Sequence, residues 1–171
     1  MVVYFVTELD NSLAGKFHVK IGRSRALERR ISNLQTGNRR KVALMGQIRT
    51  ASVSEDRAIE QRLHSVFEHK LDTGEWFSLS PDDVVSALKL FSSTAFIAVG
   101  NDAFEIISYD RDAIPEFASP WLWGDFDCYE FCPSCGWACG WTYSENHGGD
   151  VCLECGASER DYDAAEPDLR D

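Results

Sequence analysis

The sequence predicts an α+β fold followed by a separate metal-binding unit. Three observations carry that expectation. Short β-rich runs alternate with segments whose apolar residues recur at helical spacing. A serine-proline-acid signal at 80–83 opens a further helix. Two CxxC pairs close the chain's aromatic, cysteine-rich end. At 171 residues the chain has room for one ordinary domain or two small ones.

Val2 to Val6 (VVYFV) and Phe17 to Ile21 (FHVKI) read as two strands of a hairpin with a longish polar, glycine-containing loop. In the second, Phe17, Val19 and Ile21 share one face and His18 and Lys20 the other, and Gly22 ends the strand. Ser24 caps a helix running to about Gln35, with Leu27, Ile31 and Leu34 as its stripe. Arg30 falls beside that stripe, toward the body of the domain or a cleft, and Arg29 away from it. Thr36, Gly37 and Asn38 break the helix, and Val42 to Arg49 alternates as a third strand.

Ser54 caps a second helix, with Glu55 and Asp56 in its first turn as the helix dipole prefers. Its stripe is Ile59, Leu63, Val66 and Phe67, and Asp56, Glu60 and His64 follow one edge, a row able to line a cleft. Gly74 to Ser80 (GEWFSLS) is an extended aromatic piece clamped on the core. A third helix then runs from Ser80-Pro81-Asp82-Asp83 to about Phe91, with Val84, Leu88 and Phe91 inward. Phe96 to Val99 and Phe104 to Tyr109 flank Gly-Asn-Asp, a hairpin signal that either extends the first unit or supports the next. Residues 110–127, with Pro115, Pro120, Trp121 and Trp123, form a linker with aromatic anchors. After Gly156 six acids and two arginines follow without periodicity, a disordered acidic tail. The units are therefore 1–92, 93–127, 128–157 and 158–171.

The net charge of −11 divides unevenly. Up to residue 80 there are 13 Lys and Arg against 9 Asp and Glu, or +4; beyond it 4 against 19, or −15. Lys16 to Lys41 holds nine basic residues against Glu28 alone, a strip that would attract phosphate backbones. Arg23, Arg25, Arg29, Arg39, Arg40 and Lys41, with Asn38, are its DNA-contacting candidates. No stretch reaches ~18 consecutive apolar residues, which excludes a helical membrane span. Met1 to Val6 lacks a basic start and runs straight into polar residues, so an intracellular, cytoplasmic protein is expected.

All six cysteines lie between 128 and 155. Cys132 and Cys135 form one CxxC, Cys152 and Cys155 the other, and 16 residues separate them, inside the ~15–20 window of a four-cysteine zinc site. Gly136 and Gly156 follow the pairs, where a positive φ lets amides turn toward thiolate sulfurs. A closed four-sulfur shell leaves no position for substrate, so this Zn²⁺ holds structure. Cys128 and Cys139 are neighbours of the site, free thiols, or a substitute for one of the four. The segment resembles a zinc ribbon, a fold that often grips nucleic acid or protein; its acidic surroundings weaken the nucleic-acid use and put a protein partner or plain stabilisation on a par with it.

Tyr4 in a first strand, Lys20-Ile21-Gly22 in a second, Arg30 eight residues past that glycine and Glu60 on a later helix make an ordered set. With KIGRSRALERRISNLQTGN, AIEQRLHSVF and GEWFSLS, it resembles the GIY-YIG endonuclease superfamily, in its phage and meiotically up-regulated-gene branch, over roughly residues 1–90. The resemblance implies a small three-stranded antiparallel sheet flanked by helices that cuts DNA with one divalent metal, Mg²⁺ or Mn²⁺. By position, Tyr4 matches the tyrosine of the first triplet, Arg30 the phosphate-contacting arginine and Glu60 the metal-binding glutamate. One departure stands out: the second triplet's tyrosine is Lys20, a base only if its pKa, ~10.4 when free, is lowered. His64, one turn past Glu60, is a further candidate for proton transfer.

The expectation is thus a metal-dependent DNA endonuclease with a zinc ribbon. Its rival is a non-catalytic module of the same fold that binds DNA or protein, as a phage inhibitor or adaptor.

Overall fold

The computed structural model describes residues 1–9, 15–99, 106–109, 111, 113, 115–117, 121, 123 and 130–160. The elements in order are β1 (Val2–Glu8), β2 (Phe17–Ser24), α1 (Leu27–Gly37), β3 (Val42–Arg49), α2 (Val53–Val66), β4 (Leu71–Thr73), β5 (Trp76–Leu79) and α3 (Pro81–Lys89). They continue with β6 (Ala95–Ile97), β7 (Ile106–Tyr109), β8 (Pro115–Phe117), β9 (Thr142–Ser144) and β10 (Gly149–Val151).

The first correction concerns sheet size. Six strands, not three, form one antiparallel sheet in the order β4-β5-β2-β1-β3-β6. The three expected strands are its centre. The GEWFSLS segment supplies β5, which pairs Phe77 with Val19 and Trp76 with Lys20, and β6 sets Ile97 opposite Gly46. These outer strands satisfy backbone groups that β2 and β3 would otherwise expose.

Val3 to Thr7 of β1 are fully buried, because both faces of the sheet are covered. Val3 and Phe5 point into the larger core beneath α2 and α3, with Ile59, Leu63, Val84 and Leu88; Tyr4 and Val6 point to the smaller one, with Ile31 of α1 and Val42. One alternating strand therefore anchors two helical layers.

Boundaries differ in instructive places. Strand β2 does not stop at Gly22 but continues to Ser24, with Gly22 opposite Tyr4. Ser24 accordingly does not cap α1; Ala26 stands there without a side-chain bond, and the Ser24 hydroxyl takes the Ala26 N–H instead. Helix α2 is capped by Ser52, not Ser54, its hydroxyl accepting from the Glu55 N–H at 3.2 Å. Val66 faces outward at the end of α2, leaving Phe67 to close the stripe. The signal at 80–83 forms a full capping box between Ser80 and Asp83, and α3 ends at Lys89.

The expected hairpin across 100–102 is also corrected. Strand β6 pairs with β3 and β7 with β8, not with each other. The turn itself lies outside the described residues. Trp121 and Trp123 are buried in the larger core, Trp123 donating to the Ala98 carbonyl at 3.1 Å. Order extends past Gly156: Ser158 bridges Val151, and the Glu159 N–H reaches the Asp150 carbonyl. Residues 161–171 of the tail lie outside the described residues. Among the described residues no helix is long and apolar enough to cross a membrane.

The cap assignments are measurable. Ser52→Ala and Ser80→Ala should each lower the unfolding free energy in urea by about 1 kcal/mol, and Ser54→Ala by less than about 0.5 kcal/mol.

Candidate functional site

A cleft of about 340 Å³ opens where β1 begins and β2 ends, with α1 on one side and α2 on the other. Tyr4 reaches it from the buried centre of the sheet. Its ring lies over Gly22, where an added Cβ would come 2.6 Å from the phenolic oxygen. A glycine at the end of the second triplet therefore follows from close approach. Arg30 sits on the sheet-facing side of α1, and its Nε donates to the Tyr4 hydroxyl at 3.1 Å. Burial pushes the Tyr4 phenol up, with Arg30 opposing it and Glu75 and Glu60 adding to the rise. The hydroxyl is thus protonated at neutral pH, and it is suited to accept from Arg30 and to donate into the cleft rather than to act as a base. The Tyr4 contact in turn raises the Arg30 guanidinium.

Glu60 and Asp56, one turn apart on α2, line the opposite wall. Asp56 is buried and receives the Thr50 hydroxyl, which ties the start of α2 to the end of β3. Glu60 accepts from Arg23 Nε at 3.0 Å. The sequence thus places Tyr4, Arg23, Arg25, Arg30 and Glu60 on one cleft.

Lys20 and His64 do not line it. Lys20 is buried on the Tyr4 face of β2, near the Trp76 ring, and its ammonium donates to Glu75 Oε2 at 2.5 Å. The group that reaches the cleft is Glu75, for which the sequence leaves two readings, a structural clamp or a carboxylate near the cleft. The signal for it was the pairing of GEWFSLS beside β2, which no periodicity shows. The Lys20 hydrogen bond, against partial burial, holds the Glu75 carboxyl below its usual range, with Lys20, His64 and Arg30 charges helping. His64 Nε2 lies 3.1 Å from the Ile21 carbonyl and its ring packs on Phe77, in a separate depression with Leu71 and Gly74.

The basic strip is divided. Arg23 and Arg25 rim the cleft and Arg29 is exposed on the outer side of α1. Asn38, Arg39, Arg40 and Lys41 lie past the other end of α1, which spans 11 residues or ~16 Å. There Asn38 donates to Glu8 at 2.6 Å and Arg40 pairs with Glu8 at 3.5 Å.

Cys132, Cys135, Cys152 and Cys155 converge, their sulfurs within 4.8 Å of one another. Two of the separations, Cys132 to Cys155 and Cys135 to Cys152, are 3.7 Å. A tetrahedron of Zn–S bonds of ~2.3 Å has edges of ~3.8 Å, so the donor set can hold zinc. Each knuckle turns at a positive-φ glycine, Gly136 at 79° and Gly156 at 75°. The glycine amides reach the Cys132 and Cys152 carbonyls, however; amides that point at sulfur include those of Ser134 and Cys135 on Cys132, Trp137 on Cys135 and Ala157 on Cys155. Burial raises the Cys132 and Cys135 thiols, so binding a dication there displaces protons. Cys139 is exposed and outside the set; Cys128 lies outside the described residues.

The first knuckle is joined to the sheet. Ile97 N–H donates to the Gly136 carbonyl at 2.8 Å and Ala138 N–H to the Ala95 carbonyl at 2.9 Å. Phe131 and Ala138 belong to the larger core.

Two outcomes follow from this geometry. Purified protein should carry one equivalent of zinc by elemental analysis, and Cys135→Ser should lose it and lower the melting temperature of the whole sheet. Lys20→Met should return the Glu75 carboxyl toward its usual range in a carbon-detected NMR titration. Because the folded carboxyl is depressed, its stabilising contribution is full above the usual carboxylate range and is lost as pH falls through the lowered folded value; the variant should lack that loss.

No curated protein and no solved structure matches the chain. The T5orf172 domain family model matches residues 1–92, more than half of the 171. That span holds every side chain of the cleft, and the four-cysteine unit lies outside it. The chain belongs to the T5orf172 domain family, a GIY-YIG-related family.

Proposed function

We propose that the chain is a metal-dependent DNA endonuclease that hydrolyses phosphodiester bonds, its zinc unit serving stability. One observation carries it: in a GIY-YIG-related chain, Tyr4, Arg30 and Glu60 from three separate elements meet on one cleft, with Arg23 and Arg25 at its rim.

Glu60, with Asp56 one turn before it, offers carboxylate oxygens beside open space. This suits a hard cation such as Mg²⁺ or Mn²⁺, which takes one or two carboxylates and keeps several waters. Bound there, the cation would supply charge neutralisation at the phosphate and a more acidic water. The chain's own groups do the rest. Arg30, held by Tyr4, presents its remaining guanidinium N–H groups to a phosphate oxygen, where charge grows as the bond breaks. The protonated Tyr4 hydroxyl donates to an oxygen of the reacting group and keeps it in line with Arg30. Glu75, ionised on Lys20, is an acceptor facing the same space and orients a water hydrogen. Lys20 acts through Glu75 and not as the base.

A second function has one observation in its favour: the position of the second triplet's base is a lysine that is held on Glu75 and does not itself line the cleft. That favours a binding module of the same fold, a regulator or adaptor that engages DNA or protein without turnover.

Supercoiled plasmid with Mg²⁺ or Mn²⁺ separates the two. Nicking that requires the cation, falls at least a hundredfold in Glu60→Gln and leaves DNA binding intact is the expected result. Binding without nicking under every cation would leave the module.

A further inference from the structure

The carboxylate assigned to the cation already has a partner. Arg23 Nε donates to Glu60 Oε2 at 3.0 Å, with 42% of the arginine side chain exposed and 15% of the glutamate. Arg23 follows Gly22 on β2, opposite Val3, and lines the same cleft as Arg25 and Arg30. A guanidinium and a hard dication on one carboxylate repel each other at that distance, even where the ion takes Oε1 and the guanidinium Oε2. A cation held at Glu60 therefore weakens the Arg23 bond and favours its release.

The other cleft ion pair is built differently. Lys20 is nine-tenths buried beneath Glu75, near the Trp76 ring, and has nowhere else to go. Arg30 is fixed on the Tyr4 hydroxyl. The Arg23 contact is a single Nε bond at a wet rim, a class of pair worth little once solvent screens it. Its whole guanidinium fork, once released, can take a phosphate in two parallel hydrogen bonds.

We propose that Arg23 is an exchangeable counter-ion of Glu60: a divalent cation at Glu60 releases it, and the freed guanidinium then binds the DNA backbone at the cleft rim. Cation and DNA therefore bind cooperatively, each raising the other's affinity by the same factor. This rests on Glu60 being the cation ligand and adds the device that couples the ion to the nucleic acid.

The test uses the full zinc-loaded chain, with Mn²⁺ binding read by electron paramagnetic resonance. A labelled duplex with phosphorothioate linkages, which resists hydrolysis, is followed by fluorescence anisotropy over a salt series. Without DNA, Arg23→Gln should bind the Glu60-dependent Mn²⁺ about two- to fivefold tighter than wild type, the strength of an exposed pair. With Mn²⁺ present, the salt slope of duplex binding should fall by about one in that variant; without Mn²⁺ it should equal wild type. Arg23→Met serves if the glutamine variant does not fold. Unchanged Mn²⁺ affinity and unchanged slope in both would overturn the exchange while leaving Glu60 as the ligand. Mn²⁺ binding equally tight in Glu60→Gln would remove the ligand itself, and the proposed chemistry with it.

Discussion

The Tyr4 side chain is the constraint on which the site depends. It sits at the centre of the sheet with no solvent exposure, so its hydroxyl must find a partner inside the protein or lose a hydrogen bond's worth of stability. It extends across the bare Cα of Gly22 to the cleft, where Arg30 donates to it. That single bond places α1 relative to β1 and aims a guanidinium at the cleft. A strand position that would ordinarily be filled by an aliphatic side chain thus becomes a link from core packing to surface chemistry.

The other end of the sheet is governed by a different physical problem. Strand β6 would present an unpaired edge, a template for association with other chains. The first cysteine knuckle closes it, donating and accepting backbone bonds at Ala95 and Ile97 and burying Phe131. Lys89 with Glu130, at 2.5 Å, and Arg49 with Glu154 tie the same unit to α3 and β3. The four-sulfur cluster is therefore joined to the sheet rather than tethered beyond it. What holds the knuckle in shape also protects the edge of the layer that carries Tyr4.

How much of this was legible in the sequence depends on the range of the interaction. Strand β3, the Ser80–Asp83 capping box and the cysteine cluster were visible because each is written in local spacing. The Ser24 and Ser54 caps were each misplaced by two residues: pairing with Val2 keeps Ser24 in β2, and Ser52 is as good a cap as Ser54. Strand β4 was invisible: three residues long, it is a strand only because β5 lies beside it, whereas Phe96 to Val99 reads as a strand whose partner, β3, the sequence does not show. The triplets and Arg30 marked three corners of the cleft. Glu75, the Arg23–Glu60 pair and the diversion of Lys20 and His64 were hidden, since each joins residues between 37 and 55 positions apart across strand pairings that no periodicity encodes.

The cleft's own charge balance bears on how a nucleic acid enters it. Among the described lining residues, Arg23, Arg25 and Arg30 face Asp56, Glu60 and Glu75, three cations against three carboxylates. Lys20 lies beneath Glu75, and the two remaining carboxylates offset much of the attraction that the nine basic residues between 16 and 41 would exert on a phosphate there. Four groups of that strip, from Asn38 to Lys41, lie a helix length away, and two of them are bound to Glu8. On the proposed function the strip would hold a backbone along the outside of α1 rather than draw it into the cleft. A dication held at the α2 wall, as proposed, would cancel carboxylate charge where repulsion is worst and leave the arginines uncompensated. The carboxylates are thus not a flaw in a basic surface. Under the proposed function they would make entry of the phosphate conditional on the ion, so that binding in depth and readiness for hydrolysis would arise together.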